Sequence, residues 1–204
     1  KLSSTALFVQ DQVSIGNRLD VTLGLRWTQL DITSNVSGFV TDDTDRRLTP
    51  RVGATFELLD GLSLFAGYAR GFQGVVAAGF FGIEPKPETS TSWETGLKFA
   101  SPIEGLTGTL ALYQVERRNV ITPDPVLPFV YGQSGEQRAR GIEADLIYEP
   151  SPALSILASY GLTDAEVTRD NALPAGDRLR AVPRHSGRLA IRYRFADTAL
   201  EGLE

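Results

Sequence analysis

Residues 19 to 28, Leu19-Asp20-Val21-Thr22-Leu23-Gly24-Leu25-Arg26-Trp27-Thr28, decide the fold. Leu19, Val21, Leu23, Leu25 and Trp27 share one phase of a two-residue period, and Asp20, Thr22, Gly24, Arg26 and Thr28 share the other. Successive side chains of a strand point to opposite faces, so the stretch reads as a strand with one apolar and one polar face. The same split runs through 50–58, where Val52, Ala54, Phe56 and Leu58 oppose Arg51, Gly53, Thr55 and Glu57. In 138–148, Ile142, Ala144, Leu146 and Tyr148 oppose Gly141, Glu143 and Asp145. In 189–195, Leu189, Ile191, Tyr193 and Phe195 stand against Ala190, Arg192 and Arg194.

Working outward, nine such segments are separated by two kinds of connection. Short turns at Gly16-Asn17, Asp60-Gly61, 101–105, 149–152 and 196–198 alternate with long loops over roughly 34–47, 73–88, 118–135 and 168–184. A soluble sandwich has no reason to keep its long connections on one side. A transmembrane β-barrel does, with short periplasmic turns and long extracellular loops. Alternation alone leaves open whether the apolar face meets lipid or a soluble core. Phe56, Phe99, Tyr148 and Phe195 each fall within about four residues of a short turn, where a periplasmic aromatic girdle belongs.

Composition narrows the function classes. A net charge of −5, with Arg46-Arg47 and Arg117-Arg118 as the adjacent cations, argues against nucleic acid, whose phosphates call for clustered Lys and Arg. There is no Cys, and the single histidine, His185, cannot build a metal triad. No window holds the ~18 apolar residues of a membrane helix, so any crossing is made by strands. No Gly-x-Ser-x-Gly elbow or phosphate-cradling loop is present, and the carboxylates form no definable catalytic pair, so no enzyme is expected. The sequence contains no Met and opens without a secretory leader. Nine strands are also an odd count with two open edges, which hydrocarbon does not tolerate. The expectation is an excerpt of a larger barrel over residues 1–204, with plug and closing strands absent.

Several local patterns go beyond generic β sequence. Lys86-Pro87-Glu88 runs on to Trp93-Glu94-Thr95-Gly96-Leu97-Lys98, and Asn119-Val120-Ile121-Thr122-Pro123-Asp124-Pro125 follows. Next come Gly135-Glu136-Gln137-Arg138-Ala139-Arg140-Gly141-Ile142-Glu143, Thr163-Asp164-Ala165-Glu166 and Val182-Pro183-Arg184-His185. Upstream lie Phe8-Val9-Gln10-Asp11-Gln12 and Leu48-Thr49-Pro50-Arg51-Val52-Gly53. In this order they resemble the barrel of TonB-dependent outer-membrane receptors, most of all the ferric-siderophore branch. The resemblance implies about nine strands of a plugged barrel of roughly 22. It further implies a Gram-negative outer membrane with its lipid, and a TonB complex engaged through a segment absent from this chain. The ligand implied is a ferric siderophore, its iron carried by the chelator and no cofactor bound directly. Vitamin B12 or haem stays open as the solute. A passive porin, an outer-membrane hydrolase barrel or a soluble β-sandwich binding module are the competing classes.

Family members capture ligand with extracellular loops and the plug apex, which places candidates on the long connections. Residues 72–83 form an apolar, Gly-rich stretch with Phe72, Phe80 and Phe81, and exposed apolar patches often mark binding sites. Loop 118–135 offers Phe129 and Tyr131 beside Arg117 and Arg118, and loop 168–184 offers Arg178 and Arg180. Cations and aromatics at an entrance suit an anionic ferric chelate, although Asp42, Asp43, Asp45, Asp170 and Asp177 oppose them. Glu94, Lys98, Glu143 and Asp145 fall on polar phases, which the resemblance places in the lumen against the plug. Gly96 and Gly141 share those phases and allow close backbone approach.

Overall fold

The computed structural model describes residues 1–36, 39–75, 86–100, 103–124, 126–127 and 130–195. Among the described residues nine strands follow one another: β1 (Leu2–Ile15), β2 (Leu19–Val36), β3 (Phe39–Leu59), β4 (Leu62–Gln73), β5 (Glu88–Ala100), β6 (Leu106–Pro123), β7 (Tyr131–Ser151), β8 (Leu154–Arg169) and β9 (His185–Tyr193). All lie in one antiparallel sheet, each strand beside its sequence neighbours. The short turns carry positive-φ glycines, Gly16 (62°), Gly61 (74°) and Gly105 (74°), a conformation that a Cβ penalises. At Gly105 a Cβ would also collide with the Glu149 carbonyl. The turn expected at 196–198, and positions 101–102 of the turn at 101–105, lie outside the described residues.

Register turns the sequence periodicity into two continuous faces. Gly24 stands opposite Arg51, Gly53 opposite Gly67, Gly67 opposite Glu94, Glu94 opposite Tyr113, Tyr113 opposite Gly141 and Gly141 opposite Thr163. This polar face bears a trough of about 1160 Å³ and is the inner one, since polar and charged groups belong to a wet lumen and the apolar face to lipid. The opposite face is apolar from the short turns upward. It reads Leu106, Gly108, Leu110 and Leu112 on β6, Tyr148 to Ile142 in alternate positions on β7, and Leu154 to Leu162 on β8. Polar residues then take over at Gln114, Arg140 and Asp164. Some nine residues at ~3.3 Å each, tilted by ~40°, give a band of ~23 Å, close to the ~25 Å of an outer-membrane barrel.

Two of the four expected long loops are largely strand. β2 and β3 stay paired up to Val36 and Phe39, and β6 and β7 up to Pro123 and Tyr131. Those four strands run 18 or 21 residues, about twice the ~9–11 that cross a bilayer. Their outer halves carry polar residues on both phases and so lose the alternation by which strands are recognised. The connection between β8 and β9 is irregular but attached. Val167 N donates to Asp177 O (2.8 Å), Gly176 N to Val167 O (2.8 Å), Leu179 N to Ala165 O (2.9 Å) and Thr163 N to Arg184 O (2.8 Å). It thereby satisfies the upper edge of β8 where β9 does not reach.

Long side chains lie across glycines of the next strand. A Cβ on Gly96 would sit 2.9 Å from Phe65 Cε1, on Gly141 2.7 Å from Tyr113 Oη, on Gly108 2.6 Å from Phe99 Cζ, and on Gly24 2.6 Å from Arg51 Cγ. Each glycine seats its neighbour flat against the wall and keeps the sheet tightly covered.

Candidate functional site

Among the described residues the most enclosed part is the inner rim at the end of the long strands, and a β-bulge makes it. Asn119 has φ of 58°, and there the register passes from Arg118 opposite Glu136 to Val120 opposite Gly135. The extra residue changes the phase of β6 and turns Val120 and Thr122 to the inner face. Val120 is 9% exposed and Thr122 fully buried. Ala165 and Val167 of β8 are buried on the same face.

Side-chain amides then bind neighbouring connections to this rim. Gln133 Nε2 donates to Lys86 O (2.5 Å) and Gln133 Oε1 accepts from Lys86 N (2.6 Å), so one side chain imitates a β-bridge to the segment ahead of β5. Gln133 Nε2 also reaches Asn119 O (3.2 Å), and Asn119 Nδ2 donates to the carbonyl of buried Pro87 (3.1 Å). Asn171, just past β8, donates to Thr122 Oγ1 (3.2 Å). At the other end of the sheet the exit from β4 crosses the inner face of β2. A Cβ on Gly74 would sit 3.0 Å from Leu30 Cδ1 and Ile32 Cδ1. Gln133→Ala is expected to free Lys86 and Pro87 while leaving the strands paired. Two lost hydrogen bonds at ~0.5–1.5 kcal/mol each predict about tenfold faster hydrogen exchange at the Lys86 amide.

The residues singled out from sequence are distributed over this architecture. Arg117 and Arg118 are neighbours in sequence but occupy opposite faces. Arg117 faces inward and pairs with Glu88 (2.5 Å), and Arg118 faces outward and pairs with Glu116 (3.5 Å). Tyr131 opens β7 opposite Pro123 and is 38% exposed. Arg178 bridges the backbone of Glu166 and is exposed, as is Arg180, which precedes the positive-φ Ala181. Phe72 shares the outward phase of β4 with Tyr68 and is half-buried. Phe80, Phe81 and Phe129 lie outside the described residues. Glu94, Lys98, Glu143 and Asp145 all fall on the inner face, in register across β5, β6 and β7. Among the described residues none of these four enters an ion pair. Lys98 Nζ instead sits 5.2 Å from the Phe65 ring centroid.

Ion pairs gather where the outer face leaves the apolar band. Arg140 pairs with Asp164 (3.2 Å), Arg138 with Glu166, and Gln114 donates to Glu116 (3.1 Å). In the row of Gln114, Arg140 and Asp164 the rings of Tyr68 and Trp93 lie 4.3 Å apart, and in lower rows Tyr160 hydrogen-bonds His185 (2.7 Å). Amphipathic rings followed by charge mark the level at which lipid gives way to water.

A polar inner wall, a lipid-width outer band and connections folded onto one rim are the geometry of a membrane-barrel wall. The profile of the family described as TonB dependent receptor-like, beta-barrel, matches residues 1–203. The chain belongs to the TonB-dependent receptor β-barrel family. Among its relatives in this family, the ferrichrome outer membrane transporter/phage receptor of Escherichia coli K12 is 30% identical over 205 residues. That alignment takes in 100% of this chain and 27% of the relative. The metal-pseudopaline receptor CntO of Pseudomonas aeruginosa UCBPP-PA14 is 30% identical over 213 residues, covering 100% of this chain and 30% of that protein. Among solved structures, the siderophore receptor PiuA from Acinetobacter baumannii superposes with a TM-score of 0.78 at 22% identity, over 94% of this chain and 31% of that one. The chain thus spans less than a third of each of these three proteins, and the likeness to PiuA speaks for the fold.

Sequence reasoning missed Gln133 and Asn171, whose roles depend on which connection folds over which strand. It also passed over Arg26, Arg47 and Arg51. The polar phase of Arg26 and Arg51 was legible, but Arg47 fell within the expected loop 34–47, and the alignment of the three across two strands needed the register.

Proposed function

We propose that this chain forms part of the wall of an outer-membrane receptor that captures a ferric siderophore and imports it by TonB-coupled active transport. The observation that carries this reading is the inner rim: connections from β4, β6–β7 and β8 fold onto a polar, trough-bearing face within a TonB-dependent receptor barrel. Capture falls to that rim and to the candidates Phe72, Phe80, Phe81, Arg117, Arg118, Tyr131, Arg178 and Arg180. Iron stays with its chelator throughout. The TonB complex is engaged through a segment beyond this chain, and lipid of a Gram-negative outer membrane surrounds the apolar band. Charged groups facing that lumen stay hydrated or meet the plug.

The test is growth of a receptor-deleted strain, with and without the full-length gene carrying this chain, on a panel of iron sources. The panel holds a ferric trihydroxamate, a ferric tricatecholate and ferric citrate, with haem and vitamin B12 as the alternative solutes. Gene-dependent growth on one ferric chelate is expected. Gene-dependent use of haem or vitamin B12 alone would replace the siderophore assignment.

A further inference from the structure

The inner face of β2 and β3 carries a column of arginines. Arg51 stands opposite Gly24, Arg26 opposite Thr49 and Arg47 opposite Thr28, so the three guanidinium groups occupy successive rows toward the outer rim. All three are exposed on that face. The Arg51 stem lies flat over Gly24, Arg26 Nε donates to Thr28 Oγ1 (3.1 Å), and Arg47 donates to the Arg46 carbonyl (3.2 Å). Among the described residues none of the three enters an ion pair. The ion-paired arginines Arg117, Arg118, Arg138, Arg140 and Arg169 all stand on β6, β7 and β8. Asp45 follows in the next row, opposite Leu30, while within the column itself the like charges of adjacent rows repel.

Beside the column the wall is smooth. Gly53, Gly67 and Ala69 share the inner face with Arg51, and Ser92 stands opposite Ala69. The trough of about 1160 Å³ is lined by Arg26 and Arg51 on one side and by these small residues on its floor. That volume matches the upper range of small-molecule sites, ~300–1,000 Å³, and leaves room for a bulky ligand to move. Guanidinium groups present planar forks of donors and shed water readily, which suits oxygen-rich anions. A row of exposed arginines offers several equivalent weak contacts, as conduction through a pore requires.

We infer that Arg26, Arg47 and Arg51 form a guiding wall for an anionic ferric chelate, over which the captured complex slides inward past Gly53, Gly67, Ala69 and Ser92. The inference rests on the proposed receptor function and narrows its ligand to a negatively charged complex. The competing occupant of the column is an acidic segment of a plug, which would hold still there.

The experiment uses the full-length receptor in cells and two iron-55 probes, a trianionic ferric tricatecholate and an uncharged ferric trihydroxamate. The variants are a triple R26Q/R47Q/R51Q and a triple R26K/R47K/R51K, each checked for heat-modifiable gel migration. The expected result is uptake of the trianionic probe, falling at least tenfold in the Gln variant with surface binding within twofold. The Lys variant should recover most of the rate. Three results overturn the inference: uptake of the uncharged probe alone, unchanged trianionic uptake in the Gln variant, or a Gln variant that leaks small solutes, which assigns the column to plug docking. Where ferric citrate is the one chelate the receptor uses, it replaces the tricatecholate as the anionic probe; if the unaltered receptor imports none of the three ferric chelates, the receptor reading itself fails, and the two failures are thereby distinct.

Discussion

Replacing Gly141 with leucine in the full-length receptor is expected to block assembly of the barrel wall at β7. Gly141 faces inward between Tyr113 on β6 and Thr163 on β8. Tyr113 lies across it to hydrogen-bond Thr163 Oγ1 (2.8 Å), so one phenol ties three strands. A Cβ at position 141 would collide with the Leu162 carbonyl and sit 2.8 Å from Tyr113 Cε1. The carbonyl belongs to the β7–β8 ladder and cannot yield, so the phenol must leave. Overpacking costs ~1–3 kcal/mol and the broken hydrogen bond ~1 kcal/mol more, before the larger leucine finds room. Against a stability of ~5–15 kcal/mol, that shift should be plain in a urea titration followed by heat-modifiable gel migration. Gly141→Ala should show a lesser loss of the same sign. Gly53→Ala is the control, because its Cβ would meet nothing closer than the Ala66 carbonyl at 3.9 Å. If Gly141→Ala matches Gly53→Ala, the phenol does not depend on the glycine beneath it.

This seat illustrates what could be read in advance and what could not. The phases of Gly141, Glu143 and Asp145 followed from a period of two, and the register places all three on the inner face. Glycine on that phase announced a close approach. The partner, Tyr113, lies 28 positions upstream and came only with the pairing. Outer strand halves such as 39–47 escaped because polar residues on both phases remove the pattern by which a strand is recognised. The phase of β6 beyond Arg118 escaped for another reason. One left-handed residue, Asn119, reverses it, and a bulge depends on the strand opposite as much as on its own sequence. Arg117 and Arg118 looked like one cationic patch, yet adjacency within a strand guarantees opposite faces.

An arginine placed at Leu110 should destabilise the receptor by ~2–4 kcal/mol in phospholipid vesicles, the cost of a cation at the midplane on the lipid face of a barrel. Leu110 stands on the outward phase of β6, between Leu97 and Ala144 in its row, and is 44% exposed with no protein over it. The cost should fall along the strand. At Leu112 it should be smaller, and at Gln114, where charged residues already take over, ~0–1 kcal/mol, because the guanidinium reaches the headgroup level. An arginine at Thr109, one residue away but facing inward between Lys98 and Asp145, should change stability by no more than ~0.5 kcal/mol. Depth and face therefore make separate predictions. A lipid-facing band requires the gradient from position 110 to position 114 and the contrast between positions 109 and 110. A soluble sheet burying its apolar face would be hit equally hard at positions 110 and 112, since a dry core has no headgroup level to reach. Equal penalties there, measured by urea unfolding, would place this face against protein and remove the membrane from the account of its alternation.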